Sequence, residues 1–210
     1  MKIAIIGGTG SVGRKVVEQC LENGDKVIVV ARNPKAISTT HERLETRAGD
    51  VSDEKSIEKA VLGTELIVSA IGMSNAKEPT AFYSEGMTNI VKAMQSCQIK
   101  RIIAVGASGY VNKPRQTFLI RLVQKYIIQK ILRYTYEDLM RMETVLRKSN
   151  LDWTIVRPTR LTHGKRTGKY RAEPETVVGG TSISRADVAD FIVNHLTDQE
   201  TYRKAIGIAY

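Results

Sequence analysis

The residues best placed to organise chemistry are the glycines near the start of the chain. Lys2-Ile-Ala-Ile-Ile-Gly7-Gly-Thr-Gly10-Ser-Val-Gly13 reads as a short apolar strand, a turn of G-x-x-G-x-x-G spacing and the opening of a helix. In that context each glycine has a task. Gly7 makes the tight turn, Gly10 lets the backbone approach a pyrophosphate, and Gly13 lets helix and strand pack closely. The first-turn N–H groups of the helix, including those of Ser11, Val12 and Gly13, point at anionic oxygens, and the Thr9 and Ser11 hydroxyls add donors. The alternative is a turn with no ligand. The following strand ends at Arg32, nineteen positions past Gly13, and no Asp or Glu lies between Val27 and Ala36. An NAD-selective site would place a carboxylate there for the ribose hydroxyls. A guanidinium instead suits a 2′-phosphate, so NADP(H) is expected over NAD(H), with Lys35 assisting; otherwise Arg32 is a solvated strand end.

A second group lies far along the chain. Arg157, Arg160, His163, Lys165, Arg166, Lys169 and Arg171 follow an apolar strand. They could receive an anionic substrate such as FMN, or form a solvated basic loop with Arg157 held by a structural carboxylate. His163 has no second His or Cys placed to complete a metal site, so none is expected.

The positioning elements follow from periodicity. Apolar runs at Ile3–Ile6, Val27–Ala31, Leu66–Ala70, Ile102–Val105 and Trp153–Val156 alternate with helical segments, and a weaker strand lies at Leu44–Ala48. Near-continuous hydrophobic strands belong to a sheet covered on both faces. The expected fold is α/β: a Rossmann-like doubly wound parallel sheet with helices on both faces and a small C-terminal substrate-binding insertion. Helices are read at Val12–Asn23, stopped by Gly24; at Asp53–Val61, capped by Ser52 or Asp53; and at Thr80–Cys97, with Phe82, Met87, Ile90, Val91 and Met94 inward. Two consecutive helices follow at Arg115–Leu132 and Tyr136–Lys148, then Arg185–His195. The stretch 157–183 reads as loop and short strands bordering a substrate pocket, within a single domain spanning 1–210. The Arg115–Leu132 helix is apolar on more than one face, which suits core packing, a pocket cover, a subunit contact or a membrane surface.

Composition bounds the class. The 210 residues carry 32 Lys plus Arg against 22 Asp plus Glu, a net charge of +10, which attracts polyanions without choosing among them. No helix-turn-helix, RNP-like or zinc pattern supports specific nucleic-acid binding. No apolar run reaches the ~18 residues of a membrane span and no secretion-signal pattern opens the sequence. Cys20 and Cys97 match no metal spacing and are too few for a disulfide framework. A reducing, cytoplasmic setting and a monomer or homodimer are expected.

Several blocks occur in an order that is similar to a known family: Gly7-Gly-Thr-Gly10-x-x-Gly13, Gly49-Asp50-Val51, Ser84-Glu-Gly86-x-x-Asn89-Ile, Met142-Glu143-x-x-Leu146 and Leu151-Asp-Trp-Thr-Ile-Val-Arg157-Pro158. They resemble the atypical short-chain dehydrogenase/reductases, nearest the NADP-dependent flavin reductase and biliverdin IXβ reductase type and NmrA-like proteins. The resemblance implies that Asp50 and Val51 flank the adenine, that Ala70, Ile71 and Gly72 line the cofactor, and that Pro158 and Thr159 border it. It implies that Ser108 sits near the nicotinamide as the candidate catalytic hydrogen-bond donor; the alternative is a turn serine within Gly106-Ala-Ser108-Gly109. Tyr110, Arg157 and Arg160 are the expected substrate contacts. Ordinary members of the superfamily use a Tyr-x-x-x-Lys pair. Tyr126-Ile-Ile-Gln-Lys130 matches it, but about nine residues upstream of this branch's register, which gives Thr135 and Leu139, so the match is read as incidental. Arg160 stands where biliverdin-reducing relatives keep a His, a departure that bears on a tetrapyrrole substrate.

Two functions remain open from the sequence. One is an NADPH-dependent reductase of flavins, quinones or similar conjugated small-molecule acceptors, with FMN or FAD as substrate, a reaction in which orientation does most of the work. The other is a non-catalytic NADP(H)-binding redox sensor of NmrA-like type.

Overall fold

The computed structural model describes residues 1–37, 39–73, 76–111 and 129–210. Eight strands form one sheet in the order β3-β2-β1-β4-β5-β6-β10-β8. These are β1 (Lys2–Ile6), β2 (Lys26–Ala31), β3 (Leu44–Ala48), β4 (Leu66–Ser69), β5 (Arg101–Val105), β6 (Asp152–Pro158), β8 (Arg171–Pro174) and β10 (Lys204–Ala209). All neighbours pair in parallel except β8, which runs antiparallel to β10. Two short strands, β7 (Arg160–Thr162) and β9 (Ser182–Ser184), make a separate parallel ribbon with Leu161 opposite Ile183.

The helices are α1 (Ser11–Glu22), α2 (Glu54–Val61), α3 (Phe82–Ser96), α4 (Gln129–Lys148) and α5 (Arg185–Asn194). Strand alternation sorts them into two layers. Ala4, Ile6, Ile28 and Ile67 face Ile57 of α2, Met87 and Ile90 of α3 and Met142 and Leu146 of α4. On the other side Ile3, Ile5, Val29 and Val68 face Val16 and Cys20 of α1 and Val188 and Phe191 of α5. The sheet is therefore doubly wound. Strands run outward from β1 to β3, and the direction reverses when β4 returns to the other side of β1. The C-terminal ends of β1 and β4 are the switch point where such sheets take ligands.

Helix termini agree with the sequence signals. Asp53 caps α2, its side chain accepting from the N–H groups of Lys55 and Ser56. Gly24 adopts φ +84° and the chain turns with its N–H on Leu21 O and that of Asp25 on Cys20 O. The expected break between two helices near 133–135 is not observed, since α4 runs unbroken from Gln129 to Lys148. No Gly or Pro interrupts it, and three contacts hold it: Arg133 pairs with Glu137, Thr135 Oγ1 accepts from Ala76 N–H at 3.1 Å, and Asp138 anchors α3. The rest of the expected Arg115–Leu132 helix, with Tyr126, lies outside the described residues. Strand β10 was not expected from the apolar runs; Gly207 interrupts its hydrophobic pattern. Among the described residues no helix is long and apolar enough to cross a membrane.

Candidate functional site

The switch point is built from close backbone contacts that only glycine permits. Gly7 has φ +85°, and a Cβ there would stand 2.4 Å from Ala70 O. A Cβ on Gly13 would stand 2.2 Å from Gly7 O, so the helix start and the turn touch backbone to backbone. Gly10 donates its N–H to Gly7 O at 3.0 Å and precedes α1 with no side-chain cap, and no acidic residue occupies the first turn. The leading N–H groups of α1 are thus left for an external acceptor. This cradle fits a dinucleotide diphosphate: it offers orphan donors and a positive helix end with no side chain over them.

The neighbouring strand ends supply the remainder. Arg32 is exposed at the end of β2, and Gly49-Asp50 follows β3 beside it. The Asp50 carboxyl is held below the ordinary carboxylate range by the Ser52 N–H, then the Ser52 hydroxyl, with Arg32's charge contributing. Asp50 Oδ1 accepts both Ser52 bonds, at 3.0 and 2.8 Å, so it is a turn carboxylate within the electrostatic reach of Arg32. Val51 packs against α3, where a Cβ on Gly86 would stand 3.2 Å from Val51 Cβ and 3.7 Å from Ile71 Cδ1. Asn89 Nδ2 donates to Val51 O at 2.8 Å. The blocks around 50, 71 and 86 thus meet in one place. After β4, Gly72 has no atom within 4 Å of a would-be Cβ, and Met73 N–H donates to Tyr83 Oη.

Ser108 is brought beside the end of β6. It is buried, and its N–H donates to Pro158 O at 3.0 Å, while Thr159 N–H donates to Ile208 O. Pro158, Thr159 and Ser108 therefore share one rim. Thr135 and Leu139, in the register of the superfamily's dyad, are both buried. Neither side chain can act as acid or base at neutral pH.

Tyr110 and Arg157 meet, but around a carboxylate. Arg157, 5% exposed, donates Nε to Glu143 Oε1 at 2.8 Å and a second bond to Glu143 Oε2, and reaches Glu175 as well. Burial lowers the basicity of that guanidinium, but the bonds and charge of Glu143 more than offset it and hold its pKa above the ordinary value. Tyr110 Oη donates to the same Glu143, and burial together with that carboxylate raises its pKa above the normal phenol value. Both expected substrate contacts are thus engaged within the protein, the alternative weighed for Arg157, although a cleft of about 240 Å³ borders them. Arg160 is exposed at the start of β7, opposite Ser182. A second cleft, of about 290 Å³, opens near the start of β10, away from the glycine turn.

Four positioning carboxylates were assigned no role from the sequence. Asp138 accepts from the N–H groups of Tyr83 and Ser84 and from Ser84 Oγ, which closes the start of α3. Asp187 accepts from Thr167 and Gly168 N–H, the Thr167 hydroxyl and Tyr210 Oη, fastening the basic loop to α5. Glu143 and Glu175 enclose Arg157. These pairings join residues distant in sequence, which no spacing rule exposes; only the Met142-Glu143 block signalled one of them. Arg166 is likewise taken, by Asp190 at 2.6 Å. Cys20 and Cys97 are free thiols, and burial pushes Cys20 up to about 12.

A glycine cradle at the switch point of a doubly wound sheet is the arrangement of a dinucleotide-binding protein. The NAD(P)H-binding family model matches residues 7–199, and the chain belongs to that family. It is 26% identical to an uncharacterised chloroplastic protein of Arabidopsis thaliana over 99% of this chain and 76% of that protein. A short-chain dehydrogenase/reductase of Veillonella parvula, solved in complex with NADP, superposes with a TM-score of 0.80 at 24% identity, covering 100% of this chain and 94% of that one. The anaerobilin reductase ChuY of Escherichia coli O157:H7 gives 0.78 at 21% identity, covering 100% and 97%. The family match makes this an NAD(P)H-binding chain, and the structural likenesses agree on its Rossmann-like fold.

Proposed function

We propose that this protein is an NADPH-dependent reductase that passes hydride to a flavin, quinone or similar conjugated acceptor. The observation that carries the reading is the pairing of the uncapped glycine cradle with Arg32, a cation at the strand end where NAD-selective sites keep a carboxylate. Bound NADPH would supply the hydride, two electrons at once, leaving NADP⁺ while the reduced acceptor takes one proton. The chain's own residues do the rest. Gly7, Gly10 and Gly13 bring backbone donors to the diphosphate, with Thr9, Ser11 and Val12 in the same turn. Arg32 holds the 2′-phosphate, Asp50 and Val51 border the adenine, and Ala70, Ile71 and Gly72 with Pro158 and Thr159 shape the channel. Ser108 donates to a carbonyl or ring nitrogen of the acceptor. With Thr135 an alcohol that is no acid at neutral pH and Tyr110 held by Glu143, the proton comes from water, and catalysis rests on orientation. Arg160 at the exposed rim suits an anionic acceptor such as FMN.

The second reading, a redox sensor of NmrA-like type that binds NADP(H) without turnover, is favoured by one feature, the burial of Thr135 and Leu139 in the dyad's register. It predicts similar affinity for both redox forms. The deciding experiment titrates NADPH and NADH against the protein and Arg32→Glu, then assays FMN, FAD and quinones with NADPH. A preference for NADPH that vanishes in the variant, with turnover slowed by Ser108→Ala, supports the reductase. Binding without turnover across the panel supports the sensor, and equal affinity for NADPH and NADH removes Arg32 from its role.

A further inference from the structure

Arg185 opens α5 alongside the glycine turn. Its Nε donates to Ser11 Oγ at 2.9 Å, across 174 residues of sequence. Its Nη1 is buried, and no hydrogen-bond partner for it is found among the described residues. No carboxylate lies within ion-pair distance of it among those residues either, whereas Arg166 and Arg157 are both paired. Asp187, the acidic residue in the first turn of α5, is spent on Thr167, Gly168 and Tyr210.

This placement is electrostatically uphill as it stands. A cation at the N-terminal ends of two helices opposes both dipoles, and α1 has no first-turn carboxylate to offset it. An anion lying on α1 removes the conflict. The Ser11 hydroxyl has one donor and two acceptor lone pairs. Arg185 occupies an acceptor lone pair, which leaves the O–H free to turn toward a ligand oxygen.

We propose that Arg185 is the side-chain counter-charge for the dinucleotide diphosphate and that it orients Ser11 toward it. The inference rests on the cofactor reading above and adds a residue outside the glycine motif. Arg32 and Arg185 then divide the cofactor: Arg32 distinguishes NADPH from NADH, whereas Arg185 holds the diphosphate both share.

The test is a calorimetric titration with NADPH, NADH and adenosine 2′-phosphate, which keeps the 2′-phosphate but lacks the diphosphate. Arg185→Gln is expected to weaken NADPH and NADH about tenfold each, the size of one charge-assisted bond, with their ratio and the adenosine 2′-phosphate affinity unchanged. Arg185→Lys, which keeps charge without the fork, falls between. Ser11→Ala adds little in the Arg185→Gln background. NADPH affinity unaltered by Arg185→Gln overturns the proposal and leaves the cofactor reading standing. Loss of all three ligands together also overturns it, since the effect is then a collapse of the site. A parent protein that binds neither dinucleotide overturns both.

Discussion

The sharpest prediction concerns Arg157 and Glu143, because it separates a substrate contact from an internal support. Both side chains are 6% exposed, and they share a two-point contact with a third donor from Tyr110. Removing one partner of a buried pair leaves the other uncompensated, at about 3–5 kcal/mol. The Arg157–Glu175 contact adds little, since Glu175 is half exposed. Arg157→Met and Glu143→Gln should each lower the melting temperature by roughly 6–20 °C for a chain of this size. The double variant Arg157→Met/Glu143→Gln should recover part of that loss, because it strands no buried charge. Thermal melts and a urea double-mutant cycle measure this. Single variants that melt within a degree or two of the parent, while the KM of an anionic acceptor rises, would refute the assignment and restore Arg157 as a substrate contact.

Three further outcomes follow from the geometry. Gly13→Ala must push the turn and α1 apart by about 1 Å to relieve a 2.2 Å approach to Gly7 O, so NADPH affinity should fall at least ~10-fold with ~1–3 kcal/mol of stability. Gly72→Ala, whose Cβ meets nothing within 4 Å, should keep stability within ~0.5 kcal/mol in the same melts. Asp187 is pushed up by burial, but the bonds from Tyr210, Thr167 and Gly168 outweigh this and hold its carboxyl below the ordinary value. Its contribution is therefore complete above about pH 4 and lost as pH falls through the folded-state pKa. Urea midpoints against pH should show a flatter acid limb in Asp187→Asn, together with about 1–3 kcal/mol lost at neutral pH; an acid limb identical to the parent's would refute it.

The sheet's parallel core and the glycine turn were legible because each announces itself locally. Ile3–Ile6 is apolar on both faces, and the glycines follow within a few positions. The position of Arg32 at the end of β2 was legible by its offset from Gly13. What escaped depends on distance. Strand β10 hides in Lys204-Ala-Ile-Gly-Ile-Ala, where Gly207 is required by Thr176, whose Cα would stand 2.4 Å from a Cβ. That constraint comes from another strand's turn. The expected break between Leu132 and Tyr136 is spanned by a continuous helix that Thr135 and Asp138 tie to distant parts of the chain. Arg185 reads as a helix-opening residue until Ser11 is seen beside it.

Arg101 ties the start of β5 to segments much later in the chain. Its guanidinium, lowered to about 10 chiefly by burial, is caged by the carbonyls of Asp152, His195 and Leu196 and the hydroxyls of Thr154 and Thr201. Those partners lie 51 to 100 residues further along. The leading residue of β5 therefore carries a buried charge whose partners all come from later parts of the chain, and a sheet that ended at β5 would leave that charge to water. Most of the cage comes from residues 195–201, so a change at that late turn reaches the buried corner of β5 directly.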